Sequence, residues 1–147
     1  METKGKAEKK EGFRQADKFN DVSGATENEI GKIIVDSAVN LHKEIGPGLL
    51  ENVYEVLLAH NLKFEGLRVK RQVPIPIKYD GVKFDEGYRA DIIVNDRVLL
   101  ELKSVESTSR VHKKQVLTYL GLTNIKLGFL LNFGASLMKD GITRLIK

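Results

Sequence analysis

The chain of 147 residues has no cysteine and no tryptophan, three prolines and three histidines. Without thiols it can form neither disulfides nor thiolate metal sites, and His42, His60 and His112 lie too far apart to suggest a zinc centre. A metal ion would have to be held by oxygen. No apolar run approaches the roughly 18 residues that a membrane span requires, and no hydrophobic segment follows the first methionine as a signal peptide would. These absences predict a cytoplasmic protein with no membrane partner. Neither sign of charge dominates: Lys and Arg number 24 against 20 Asp and Glu, a formal net charge of +4. That balance, with a pI near 9.2, permits an anionic partner without requiring one.

What is present suits one domain with one sizeable core, at 41% hydrophobic and 30% charged residues. Residues 1 to 24 carry six Lys/Arg and five Asp/Glu, with Phe13, Phe19 and Val22 as the only large apolar residues. Too little surface can be buried there to offset ordering, so a mobile polar tail is expected before a domain over 25–147. Thr26 can cap a helix, with Glu27 and Glu29 favourable in its first turn. Ile30, Ile33, Ile34, Ala38, Leu41 and Ile45 then keep helical spacing, up to a stop at Gly46, Pro47 and Gly48. A second helix is predicted from Leu49 to about Phe64, with Leu50, Val53, Tyr54, Leu57, Leu58 and Leu62 as its apolar stripe. Gly48, Glu51 and Tyr54 share a side, which sets the acid Glu51 on or beside the buried face. Such an acid ordinarily snorkels to solvent or pairs with a base.

The most informative stretch is YRADIIVNDRVLLELKSV, residues 88 to 105. Ile92–Val94 and Val98–Leu100 flank Asn95 and Asp96, the pattern of a β-hairpin. Strand side chains alternate faces, so Glu101 and Lys103 project together while Leu100 and Leu102 project oppositely. With Asp91 from the first strand, two carboxylates and a lysine are proposed at one end of a short sheet. Two hard oxygen donors suit a divalent cation, and the ammonium could hold a phosphate oxygen. Charge on alternate strand positions also describes an ordinary solvated face.

Before this hairpin, Arg68 to Tyr79 favours extended structure, with Pro74 and Pro76 arguing for an edge strand and Asp80-Gly81 for a turn. After it, Thr108 or Ser109 caps a third helix with Val111, Val116, Leu117 and Leu120 as apolar contacts. Arg110, His112, Lys113 and Lys114 crowd its first half, against the helix dipole, a cost that an anionic ligand would relieve. Gln115 and Tyr119 share a helical face. Strands at Lys126–Asn132 and Gly141–Lys147 close the chain. The order is helix, helix, three strands, helix, two strands, a mixed α/β fold.

Residues 27 to 147 resemble the GxxExxY family, a branch of the PD-(D/E)XK nuclease superfamily. The name-giving motif stands as Gly48, Glu51 and Tyr54 in GLLENVY. The hallmark aspartate matches Asp91, the Glu-x-Lys pair matches Glu101 and Lys103, and Gln115 with Tyr119 looks like the helix of RecB-like nucleases. The closing LLNFG and MKDGI also look like this family. The resemblance implies a restriction-endonuclease-like core, a central mixed β-sheet flanked by helices. It implies catalytic residues Glu51, Asp91, Glu101, Lys103, Gln115 and Tyr119. Magnesium or manganese would be bound by Glu51, Asp91, Glu101 and the Leu102 carbonyl, and Arg110, Lys113 and Lys114 would track a nucleic-acid backbone, DNA favoured over RNA. A non-catalytic binding or adaptor module retaining the fold is the alternative. A homodimer suits a small nuclease, although no motif here specifies one.

Geometry tests the shared site. A strict two-residue turn at Asn95-Asp96 would pair Val94 with Arg97 and Asp91 with Leu100, leaving Asp91 on the face opposite Glu101. An odd-length loop or a bulge between residues 91 and 101 is therefore expected, with the two carboxylates close enough to share one cation.

Overall fold

The computed structural model describes residues 24–147, so the tail expected over residues 1–24 lies, but for Gly24, outside the described residues. Helix α1 (Glu27–Ile45) begins as its sequence requires: the Glu29 amide donates to Thr26 Oγ1 and the Thr26 amide to Glu29 Oε1, both at 3.2 Å. Ile30, Ile34, Ala38 and Leu41 are buried, while Ile45 in the last turn is exposed. Gly46 (φ 71°) and Gly48 (φ 104°) take left-handed backbone that ends the helix and turns the chain. Helix α2 (Glu51–Phe64) then buries Tyr54, Leu58 and Leu62, and Leu50, just ahead of it, is exposed. The Tyr54 hydroxyl donates to the Gly46 carbonyl at 2.7 Å and accepts from the Leu49 amide at 3.1 Å. Its ring stacks on Phe133 with centroids 4.5 Å apart, so one side chain ties the glycine loop to the core.

Seven strands follow: β1 (Val69–Pro74), β2 (Ile77–Tyr79), β3 (Val82–Phe84), β4 (Arg89–Val94), β5 (Val98–Lys103), β6 (Leu127–Asn132) and β7 (Ile142–Ile146). Helix α3 (Arg110–Thr123) joins β5 to β6, and a 3-10 turn at Met138–Gly141 precedes β7. The main sheet runs β1-β4-β5-β6-β7, with β5 and β6 parallel and every other pair antiparallel. Strand β1 takes the edge, as Pro74 requires. Where the sequence suggests three strands before the third helix, the structure has five. Pro76 has no amide to continue a ladder, so after Ile75 donates to the Tyr88 carbonyl at 2.8 Å the chain leaves the sheet, and β2 and β3 form a ribbon of their own.

Helices α1 and α2 cover one face of the sheet, packing on Ile92, Val94, Leu100, Leu102 and Phe129. Helix α3 covers the other, where Val116, Tyr119 and Leu120 meet Leu99, Leu130 and Ile75. Val111, expected among its contacts, is 71% exposed, and the burying face starts at Val116. Among the described residues, no helix is long and apolar enough to cross a membrane.

The hairpin loop resolves the question of register. Asn95 and Asp96 both take left-handed backbone (φ 51° and 55°), and the Arg97 amide donates to the Val94 carbonyl at 2.9 Å, a type I′ turn. Val94 nevertheless pairs with Val98, Ile93 with Leu99 and Ile92 with Leu100, so Arg97 is an extra residue and the loop is odd in length. Asn95 fixes this geometry, since its Oδ1 accepts the Arg68 amide and its own amide donates to the Arg68 carbonyl, both at 2.8 Å. Asn95→Ala, losing a buried acceptor and the residue type that tolerates left-handed backbone, is expected to lower unfolding free energy by about 2–4 kcal/mol. Asn95→Gly keeps the backbone and should lose about 1–3 kcal/mol. Urea denaturation separates them, and equal losses would assign the whole effect to the hydrogen bond.

Candidate active site

Strand β4 stays paired with β1 as far as Arg89, and β5 stays paired with β6 as far as Lys103, but β4 and β5 pair only up to Ile92 and Leu100. The sheet forks there, and the next residues on each prong are Asp91 and Glu101. Side-chain oxygens replace the missing ladder: the Asp91 amide donates to Glu101 Oε1 at 3.1 Å and the Leu102 amide to Asp91 Oδ2 at 2.8 Å. In an antiparallel ladder one residue's N–H and C=O point the same way, so the Leu102 carbonyl opens toward the same gap. The strand is also irregular at this point. Ala90 packs with the α3-side cluster and Ile92 with the opposite one, although residues two apart on a regular strand share a face.

Two carboxyl groups meeting in a half-closed gap oppose each other's ionisation. Burial and then the Asp91 carboxylate push Glu101 up to about 8, and burial likewise raises Asp91, where Glu55 adds to the rise. Lys103, half-buried, favours the ionised form of both. Tyr119 is buried on α3 and accepts a hydrogen bond from Gln115 Nε2 at 2.9 Å. Burial raises its pKa and the nearby Glu101 and Asp91 add to the rise, against the Gln115 bond. Asp91, Glu101, Lys103, Gln115 and Tyr119 thus form one neighbourhood.

Glu51 stands differently. It is exposed in the first turn of α2, whose start is tied to the end of β5 by Ser104 Oγ donating to the Leu49 carbonyl at 2.6 Å. Among the described residues no three His, Asp or Glu side chains gather closely enough to hold a metal ion together. Arg110, Lys113 and Lys114 are exposed along the first half of α3. His112 is spent on structure, its Nδ1 accepting from the Ser109 amide at 3.2 Å.

Two residues beside the carboxyl pair went unread in the sequence. Glu55, one residue past Tyr54 and 4% exposed, accepts Arg71 Nη2 at 2.8 Å and Nε at 2.9 Å. It also accepts Gln72 Nε2 at 2.6 Å, and that amide reaches Asp91 Oδ1 at 3.3 Å. Gln72 does so from left-handed backbone (φ 51°), which breaks the alternation of β1 and lets Arg71 and Gln72 reach the same acid. Helical spacing could have flagged Glu55 as an acid beside the apolar stripe, whereas nothing local announces Gln72.

The donors at the fork are oxygens of two acids and a main-chain carbonyl, with a raised acid whose charge is unfavourable without a cation. That set fits a hard divalent ion such as magnesium or manganese. A family model described as the PD-(D/E)XK nuclease superfamily matches residues 28–145, from the first turn of α1 into β7. No curated protein and no solved structure matches the chain. A mixed sheet flanked by helices, forked at an aspartate and a Glu-x-Lys strand and matched over most of its length, makes the chain a member of the PD-(D/E)XK nuclease superfamily.

Proposed function

We propose that the protein is a metal-dependent nuclease of the GxxExxY branch that hydrolyses phosphodiester bonds of nucleic acid, with DNA favoured over RNA. The observation that carries this reading is the crosswise pairing of Asp91 and Glu101 at the fork. Asp91, Glu101 and the Leu102 carbonyl would hold the cation, with Glu51 reaching it directly or through water. A cation there supplies Lewis acidity, polarising the scissile phosphate and lowering the pKa of an attacking water. Lys103, on the same strand face as Glu101, orients that water or neutralises charge developing on the phosphate. Gln115, held by Tyr119, positions Lys103 or the phosphate, and Arg110, Lys113 and Lys114 track the backbone. Gln72, braced by Glu55, restrains the Asp91 carboxyl.

Labelled DNA and RNA incubated with magnesium, manganese or chelator test the reading. Cleavage should require the cation, and Glu101→Gln or Lys103→Ala should lower it by roughly a hundredfold or more. Activity that survives chelation or both substitutions would belong to another site.

The raised Glu101 makes a separate thermodynamic prediction. Between about 4.5 in the unfolded chain and about 8 in the folded one, the folded state keeps a proton that the unfolded state releases. Stability is therefore full below the lower value, declines as pH rises and levels off above the upper. Thermal melts without metal should show this fall from about pH 5 to about pH 8, Glu101→Gln should flatten it, and magnesium or manganese should restore stability at the upper end. A flat wild-type profile would remove the buried carboxyl pair.

Gln72 separates strain from function. Gln72→Gly and Gln72→Ala both delete the amide and should reduce cleavage about tenfold alike, while the glycine variant should be more stable by about 1 kcal/mol, since only glycine adopts φ near 51° freely. Wild-type rates in both would leave Gln72 with a structural role alone.

A further inference from the structure

Among the described residues the exposed tyrosine and phenylalanine rings are Tyr79, Phe84 and Tyr88, all on the β2–β3 ribbon and the stem leading from it to β4. The ribbon pairs Ile77 with Phe84, Lys78 with Lys83 and Tyr79 with Val82. Paired residues share a face, so Ile77, Tyr79, Val82 and Phe84 make one wholly apolar face and Lys78 and Lys83 the other. Tyr79 is 80% exposed and Val82 67%, so this apolar face has no cover among the described residues. An isolated two-stranded ribbon is barely stable by itself, and like charges directly opposite weaken it further. Lys83 has Asp85 at 3.7 Å, whereas Lys78 faces it across the ribbon.

The ribbon is also continuous with the fork. Its base is anchored by Ile75 in the α3-side cluster that contains Tyr119, and the rings of Phe84, Tyr88 and Tyr119 follow one another edge to face at 6.0 and 6.5 Å. An aromatic track thus runs from the exposed face to the neighbourhood of Asp91 and Glu101.

We propose that the β2–β3 ribbon is a binding platform for single-stranded nucleic acid, its bases stacking on Tyr79, Phe84 and Tyr88 and its backbone passing over the ribbon's edge, where the long side chains of Lys78 and Lys83 reach round from the reverse face to its phosphates. The occupant follows from chemistry. Asp80, Asp85 and Glu86 balance Lys78, Lys83 and Arg89, so net attraction to a duplex backbone is weak, while exposed rings gain most from base faces. A duplex buries those faces within its own stack, and an unpaired strand offers them. The inference rests on the nuclease reading for its orientation, because the track leads the strand to the carboxyl pair, but binding can be measured without cleavage.

Fluorescence anisotropy in chelator with oligo-dT, oligo-U and a blunt duplex tests it on the full chain. Both single strands should bind more tightly than the duplex, and Tyr79→Ala or Phe84→Ala should each weaken binding about fivefold to a hundredfold. Replacing Lys78 and Lys83 by Gln should lower the slope of log affinity against log salt by about 0.7 per lysine. Because the chain has no tryptophan, Tyr79→Trp places a lone indole on the ribbon, whose fluorescence a single strand should quench saturably. Absent binding, preference for the duplex, unchanged affinity in the ring variants or an unquenched indole each overturns the proposal. A wild-type dimer that dissociates in the ring variants, with nucleic-acid affinity unchanged, would give the face to a second copy instead. Ribbon-dependent binding with no cleavage by the wild type would refute the nuclease reading and leave the platform standing. Cleavage that needs Glu101 but not the ribbon rings would do the reverse.

Discussion

Two carboxyl groups bridge the place where the sheet divides, and the rest of the site depends on that bridge. In a regular hairpin the ladder of β4 and β5 would run on past Ile92 and Leu100, with a β4 carbonyl answering the Leu102 amide and the Asp91 amide turned away toward β1. Here Glu101 Oε1 and Asp91 Oδ2 take those amides, so the prongs stay linked while standing apart. The gap exposes acid oxygens and the Leu102 carbonyl to one another. Burial and mutual repulsion disfavour ionisation of both acids, which is a cost to the folded protein at neutral pH. The apolar clusters on both faces of the sheet supply the stability against which that cost is set. A positive charge placed between the two acids would offset that cost.

The same balance governs Glu55. A carboxylate 4% exposed would be strongly destabilising if left unpaired, but Arg71 and Gln72 give it two hydrogen bonds and an ion pair. Its effect reaches Asp91 twice, by direct repulsion and through the shared Gln72 amide. The left-handed backbone at Gln72 is local strain held in place by that network. Strain, burial and like charge thus concentrate within a few residues of the fork, while Asn95 stabilises the distant loop that sets its register.

What the sequence revealed tracks how local each cause is. The Thr26 cap, the stop at Gly46, Pro47 and Gly48, and the edge position of the strand that carries Pro74 each depend on a few neighbouring residues, and each stands where expected. The odd-length loop was legible by counting, because side-chain alternation and a shared site for Asp91 and Glu101 admit no other parity. The ribbon was hidden because Val82–Phe84 carries no long apolar run and pairs only with a strand that Pro76 has cut from the sheet. Gln72 and Glu55 were hidden more deeply. Their meeting requires β1 to lie against α2, a contact between distant elements that periodicity cannot report. Val111 failed for the converse reason: it keeps helical spacing, yet α3 meets the sheet only from Val116 onward.

The motif formed by Gly48, Glu51 and Tyr54 resolves physically into parts with different duties. Gly48 serves backbone, since its φ of 104° is closed to residues with a side chain at little cost. Tyr54 serves architecture, holding the Gly46 carbonyl and the Leu49 amide while its ring packs on Phe133. Glu51 serves neither: it is exposed, and nothing in the packing of α2 needs an acid there. A short motif in which two members fix the start of a helix and the third is left free presents that third residue at a defined position. Ser104, one residue beyond Lys103, fastens the same helix start to the strand carrying Glu101. Gly48 and Tyr54 thus fix the start of the helix from which Glu51 projects, and among the described residues no hydrogen bond or ion pair of its own sets the position of Glu51.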